Sequence, residues 1–149
     1  MLLPRRYIVK SPPEKASSLI KLGVQKLFMF AGWLTLAFIT FVTLSPIEDR
    51  LVVAGLQFEH FAAFALLGLL FALGYQSRTL LVVAVVLGSA FILEALQLLT
   101  PDRHGRVFDA LVKAAGGLCG IGAASLGSVV LREQVNRIKV FLGVGKSPG

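Results

Sequence analysis

The sequence predicts an all-α fold, a polytopic membrane bundle of four transmembrane helices with basic amphipathic termini. Three observations carry that expectation. Hydrophobic residues make up 56% of 149 and charged ones only 15%, with a mean hydropathy of +0.80, more apolar than a soluble domain of this size needs. The apolar residues fall in several runs of about 20 with no polar face, the length that crosses a bilayer as helix. Basic residues flank these runs rather than interrupting them. The net charge of +7 lacks the interleaved aromatics of a nucleic-acid surface, so anionic lipid, not nucleic acid, is the expected partner. The single cysteine, Cys119, excludes an intrachain disulfide and argues no metal site. No cofactor or metal is expected, since the glycine-loop, nucleophile-elbow and HExxH patterns are all missing from the sequence.

Residues 1–26 carry six basic side chains and one acid, Glu14. Ser11-Pro12-Pro13-Glu14 has the form of a capping box, and Ala16, Leu19, Ile20 and Leu27 follow at helical spacing. This tail is expected to be a short interfacial helix on the cytoplasmic surface. The membrane domain is placed at 27–131. Its first span, 27–45, contains Phe28, Phe30, Trp33, Phe38 and Phe41 and stops at Pro46; it is too long for a signal-peptide core. Residues 51–56 are expected to be interfacial or re-entrant, with the second span starting near Phe58. A tight turn at 75–78 leads into a third span, 80–99, which Pro101 ends. The fourth, 107–131, carries two small-xxx-small pairs, Gly116 with Gly120 and Ala123 with Gly127, suited to close helix packing. Residues 132–149 form a second basic tail.

Eleven of the fifteen Lys and Arg residues lie in the two tails and at Arg78. The positive-inside bias therefore predicts cytoplasmic termini in a bacterial plasma membrane, with the polar residues facing outward.

Those polar residues concentrate in residues 92–113, ILEALQLLTPDRHGRVFDALVK. Intramembrane ionisable groups are costly and mark functional sites by default. His60 lies 17 residues before Ser77 and Glu94 lies 17 after it, so an antiparallel hairpin brings them to equal depth. Gln97 is one turn beyond Glu94, and Asp109 and Lys113 have the spacing to pair along their own helix. His60 and Lys113 are the candidate partners that would keep Glu94 charged. Arg103 and Arg106, in a short basic loop with His104, suit phosphate or carboxylate oxygens.

The stretch HFAAFALLGLL from His60, followed by ILEALQLLTPDRHGRVFDALVKAAGGLCG, resembles the VanZ-like family of small bacterial membrane proteins. Glu94, Gln97, Pro101, Arg103, Asp109, Gly116 and Gly120 carry the resemblance across residues 45–127. Three positions depart from it: Leu56 and Gln57 stand where an Asp-Lys pair is usual, and Lys113 where an asparagine is usual. The resemblance implies an envelope-associated membrane protein, in a family whose named member is linked to low-level teicoplanin resistance. The leading expectation is a non-enzymatic protein whose outward cluster binds or shields an anionic lipid or a lipid-linked precursor. A structural subunit or assembly factor of a larger membrane complex, or a homo-oligomer, is an alternative. A lipid-modifying enzyme with His60 or Glu94 as acid/base is another.

Overall fold

The computed structural model describes residues 14–45, 55–97 and 107–141. They form four helices and, among the described residues, no strand: α1 (Glu14–Leu44), α2 (Leu56–Gly74), α3 (Thr79–Gln97) and α4 (Val107–Phe141). Each contains a window long and apolar enough to cross a membrane. Only 17% of the α1 window and 33% of the α4 window is buried inside the protein. The rest, including Phe30, Leu34, Phe38 and Phe41 on α1, is exposed apolar surface, which a bilayer solvates and water does not.

α1 is one continuous helix where a separate interfacial helix was expected before residue 27. The reason lies in the chain: the prolines at 12 and 13 precede α1, and between Glu14 and Leu44 there is no proline and only Gly23 and Gly32. α4 likewise runs past 131 to Phe141 without a break. Of the segment expected to be interfacial, residues 51–54 lie outside the described residues; Gly55, at φ 87°, is the N-cap of α2. That left-handed backbone suits glycine, which has no Cβ to clash. At the other end of α2, Tyr75 N–H donates to Phe71 O and Arg78 N–H to Tyr75 O, and Val82 N–H then donates to Arg78 O to start α3. The four-residue connection makes α2 and α3 an antiparallel hairpin.

α2 and α4 run parallel and touch backbone to backbone. A Cβ placed on Gly116 would run into the carbonyl oxygen of Phe61, one on Gly120 into that of Ala65, and one on Gly68 into that of Gly117. Such approach is available only to glycine and lets main chains pack where lipid offers no hydrophobic drive. α1 lies antiparallel on α2. Gly74 abuts Met29, Gly32 faces the Phe71 ring, and Trp33 meets that ring edge-on at 5.3 Å between centroids. Trp33 Nε1–H also donates to Tyr75 Oη at 3.2 Å, so the aromatic seam ends in a satisfied polar contact. α3 closes the other side through Val82, Val86, Ala90 and Leu93, packed in one core with Phe64, Leu67, Phe71, Ile121 and Ile39.

Gly127 meets nothing within 4 Å, so its expected packing role finds no neighbour among the described residues. Gly68 and Gly117, not singled out in the sequence, are the contacts that matter beside Gly116 and Gly120.

At 1.5 Å per residue α2 and α3 are each about 28 Å long, close to the roughly 30 Å hydrocarbon thickness of a bilayer. α1 and α4, at 31 and 35 residues, are longer and extend past the α2–α3 turn at the same end. Met29 is level with Gly74, so everything before it on α1 projects beyond α2.

Adding a methyl group at Gly116 or Gly120 must push α2 and α4 apart. Gly116→Ala and Gly120→Ala are expected each to destabilise the detergent-solubilised protein by about 1–3 kcal/mol. Gly122→Ala, at a position that meets nothing within 4 Å, is expected to be neutral or stabilising. Thermal unfolding monitored by size-exclusion fluorescence checks the contrast, and equal shifts at all three positions would refute it.

Candidate functional site

Lys113 Nζ lies 2.6 Å from Glu94 Oε2, with side-chain exposures of 0% and 8%. The pairing follows from the register and direction of the two helices. Gly117 on α4 meets Val86 on α3, which sets a common level. From there toward the far end of the bundle, Glu94 is eight residues up α3, about 12 Å, and Lys113 is four residues up α4, about 6 Å. Side chains lean toward the N-terminus of their own helix. α3 and α4 run in opposite senses, so Lys113 leans up and Glu94 leans down. The four-carbon lysine stem spans the remaining gap.

The ion pair therefore crosses between helices. Of the two partners the sequence offered it, Lys113 takes Glu94 on α3 rather than Asp109 at i,i+4 on its own helix; among the described residues Asp109 forms no ion pair with it. Asp109 is instead a half-buried acid in the first turn of α4, where negative charge complements the helix dipole. Gln97, the last residue of α3, is buried at 7% exposure one turn beyond Glu94. On α2, Phe61 packs over Gly116, which brings His60 to the turn of α4 that holds Lys113. His60 is half-buried and its Nδ1 is shielded from solvent; Glu59 is half-buried beside it. Three helices thus deliver His60, Glu94 and Lys113 to the same end of the bundle. Arg103 and Arg106, with His104, lie outside the described residues. Among the described residues no three His, Cys, Asp or Glu side chains are grouped to hold a metal ion.

Chemically, the centre of this cluster is a self-satisfied clasp. A lone ammonium or carboxylate there would lack solvation; each neutralises the other, and removing one strands its partner. Around the clasp Glu59, His60 and Asp109 are half-buried.

A second polar feature escaped the sequence reading. A cleft opens at the α2–α3 turn, lined by Tyr75, Gln76 and Thr79 on one side and Ser125, Ser128 and Arg132 on the other. The signal was present: positions 125, 128 and 132 share one helical face, but read as a span end followed by a tail.

Single replacement of either clasp member, Glu94→Leu or Lys113→Met, is expected to destabilise the protein by about 3–5 kcal/mol. The double replacement is expected to recover most of that loss, because two apolar side chains leave no stranded charge. A double-mutant cycle on thermal midpoints checks this, and strictly additive losses would show that the two groups do not depend on each other.

No curated protein and no solved structure matches the chain. A family model does: the one described as VanZ/LLP1 matches residues 4–130. That match covers all of the first three helices, the buried Glu94–Lys113 pair and most of α4. The chain is a member of the VanZ/LLP1 family.

Proposed function

We propose that this VanZ/LLP1 protein is a non-enzymatic component of the bacterial cell envelope. In this reading it lies in the plasma membrane with both termini in the cytoplasm, and its polar end binds or shields an anionic lipid or a lipid-linked precursor. The observation that supports it most is the Glu94–Lys113 clasp. It commits the two most deeply placed charges to each other, leaving them to hold α3 and α4 in register at the end of the bundle that carries the half-buried His60, Glu59 and Asp109. In the sequence Arg103 and Arg106 belong to the link between those same two helices, and guanidinium forks match phosphate oxygens. An acid/base role for Glu94 is less favoured, since its carboxylate is already engaged by an ammonium.

The orientation rests on charge. Lys26, Arg78, Arg132 and Arg137 belong to the end with the α2–α3 turn, whereas Glu59, Glu94 and Asp109 belong to the other. Positive charge is retained in the cytoplasm. A link to teicoplanin resistance fits the family but depends on the lipid or precursor being bound.

Two measurements test this reading. Purified in mild detergent, the wild type is expected to retain an anionic phospholipid or polyprenyl-linked lipid detectable by mass spectrometry. An Arg103→Ala, Arg106→Ala variant is expected to accumulate normally and to lose that lipid, together with any glycopeptide phenotype. Retention equal to the wild type removes the anion-binding role. For orientation, Ser77→Cys in a Cys119→Ala background is expected to resist an impermeant thiol reagent in intact cells and to react after permeabilisation. Labelling in intact cells reverses the topology.

A further inference from the structure

The cleft at the α2–α3 turn is separate from the polar end, and its lining is amphipathic. Val82, Ile121 and Ala124, all buried, form its inner wall. Thr79, Gln76 and Arg132 stand at its mouth and are exposed. Among the described residues no acid lines it. The hydroxyls of Ser125 and Ser128 donate to the carbonyls of Ile121 and Ser125, which leaves their oxygens, and not their protons, toward the cleft. Arg132 is therefore its charged donor.

The depth of the mouth is set by the helices around it. α2 and α3 match the hydrocarbon thickness, so the turn that joins them lies at head-group level. α4 carries its first exposed charges at the same height. Below it Val129, Val130 and Leu131 are exposed apolar residues, and above it the exposed Glu133–Arg137 pair at 2.7 Å is a contact suited to water. Arg78, in the turn itself, adds a second positive charge.

We propose that this cleft is a binding site for one anionic phospholipid of the leaflet at the turn end. Its phosphate would be held by the Arg132 guanidinium and the Thr79 hydroxyl, with the apolar wall against the upper part of an acyl chain. A charged donor at head-group height, an apolar wall beneath it and an acid-free lining complement that molecule and disfavour a cationic ligand. The site is independent of the polar end, and the two proposals fail separately.

The test uses the full-length protein, delipidated in neutral detergent and titrated with phosphatidylglycerol or phosphatidylcholine under native mass spectrometry. One equivalent of phosphatidylglycerol, beyond any held at the polar end, is expected to bind in preference to phosphatidylcholine. Arg132→Gln is expected to weaken it roughly tenfold or more, the scale of a lost charge-assisted hydrogen bond. Ser128→Trp, which fills the mouth from an exposed position, is expected to abolish it. Arg137→Gln, off the cleft and paired to Glu133, and the Arg103→Ala, Arg106→Ala variant are expected to leave it unchanged. Equal weakening by Arg132→Gln and Arg137→Gln, equal affinity for the two lipids, or wild-type binding by Ser128→Trp overturns the proposal.

Discussion

The close approach of α2 and α4 governs the rest of this structure. Where Gly116 and Gly120 meet the backbone of Phe61 and Ala65, and Gly68 meets Gly117, two helices share a seam in which main chain replaces side chain. Apolar side chains gain little by leaving lipid for protein, so association in a bilayer depends on dispersion contact between closely fitted surfaces. Glycine supplies the fit. Once α2 and α4 are locked, Gly117 has room for Val86 but for little else. That contact sets the height of α3, and with it the distance that Lys113 must span to reach Glu94.

The ion pair is thus a consequence of the packing and also a check on it. A slip of one residue between α3 and α4 would turn one of the two groups away from the other and leave a charge in a low-dielectric interior, at a cost of several kcal/mol. Packing between smooth apolar helices tolerates alternative registers; a buried pair does not. Lys113 also stands where the resemblance leads to an asparagine. A cation there makes the cross-helix contact an ionic one, whereas an amide would offer a neutral hydrogen bond.

The two ends of the bundle differ in chemistry because its helices differ in length. α2 and α3 span a bilayer and little more, so the polar end and the turn end lie near opposite head-group regions. α1 and α4 continue past the turn, carrying Lys21 and Lys26 on one and Arg132 and Arg137 on the other. Basic residues outnumber Glu14 and Glu133 where the helices overrun, while Glu59, Glu94, Asp109 and the cation Lys113 lie at the other end. Between the ends the exposed surface is apolar, as its lipid surroundings require.

Four helices, the approximate bounds of α2 and α3 and the membrane class were legible from the chain, because length and apolarity alone satisfy the demand that backbone groups in a bilayer bond within their own helix. The antiparallel pairing of α2 and α3 was legible too, since a short connection forces antiparallel neighbours. What the chain did not disclose was which neighbours touch. Asp109 and Glu94 were both in reach of Lys113 by spacing, and only the stagger of α3 against α4 favoured the partner across the gap over the one along the helix. Gly127 and Gly116 have the same local pattern, yet Gly116 meets α2 while Gly127 faces open space, because α4 has by then run beyond the closely packed part of the bundle. The straightness of α1 through residue 27 was readable from the lack of a helix breaker, but a change from basic to apolar composition looks the same whether a helix bends there or continues. Composition determined that this protein lives in lipid; the arrangement of helices decided which of its few charges meet, since contact between distant residues depends on packing that no local pattern encodes.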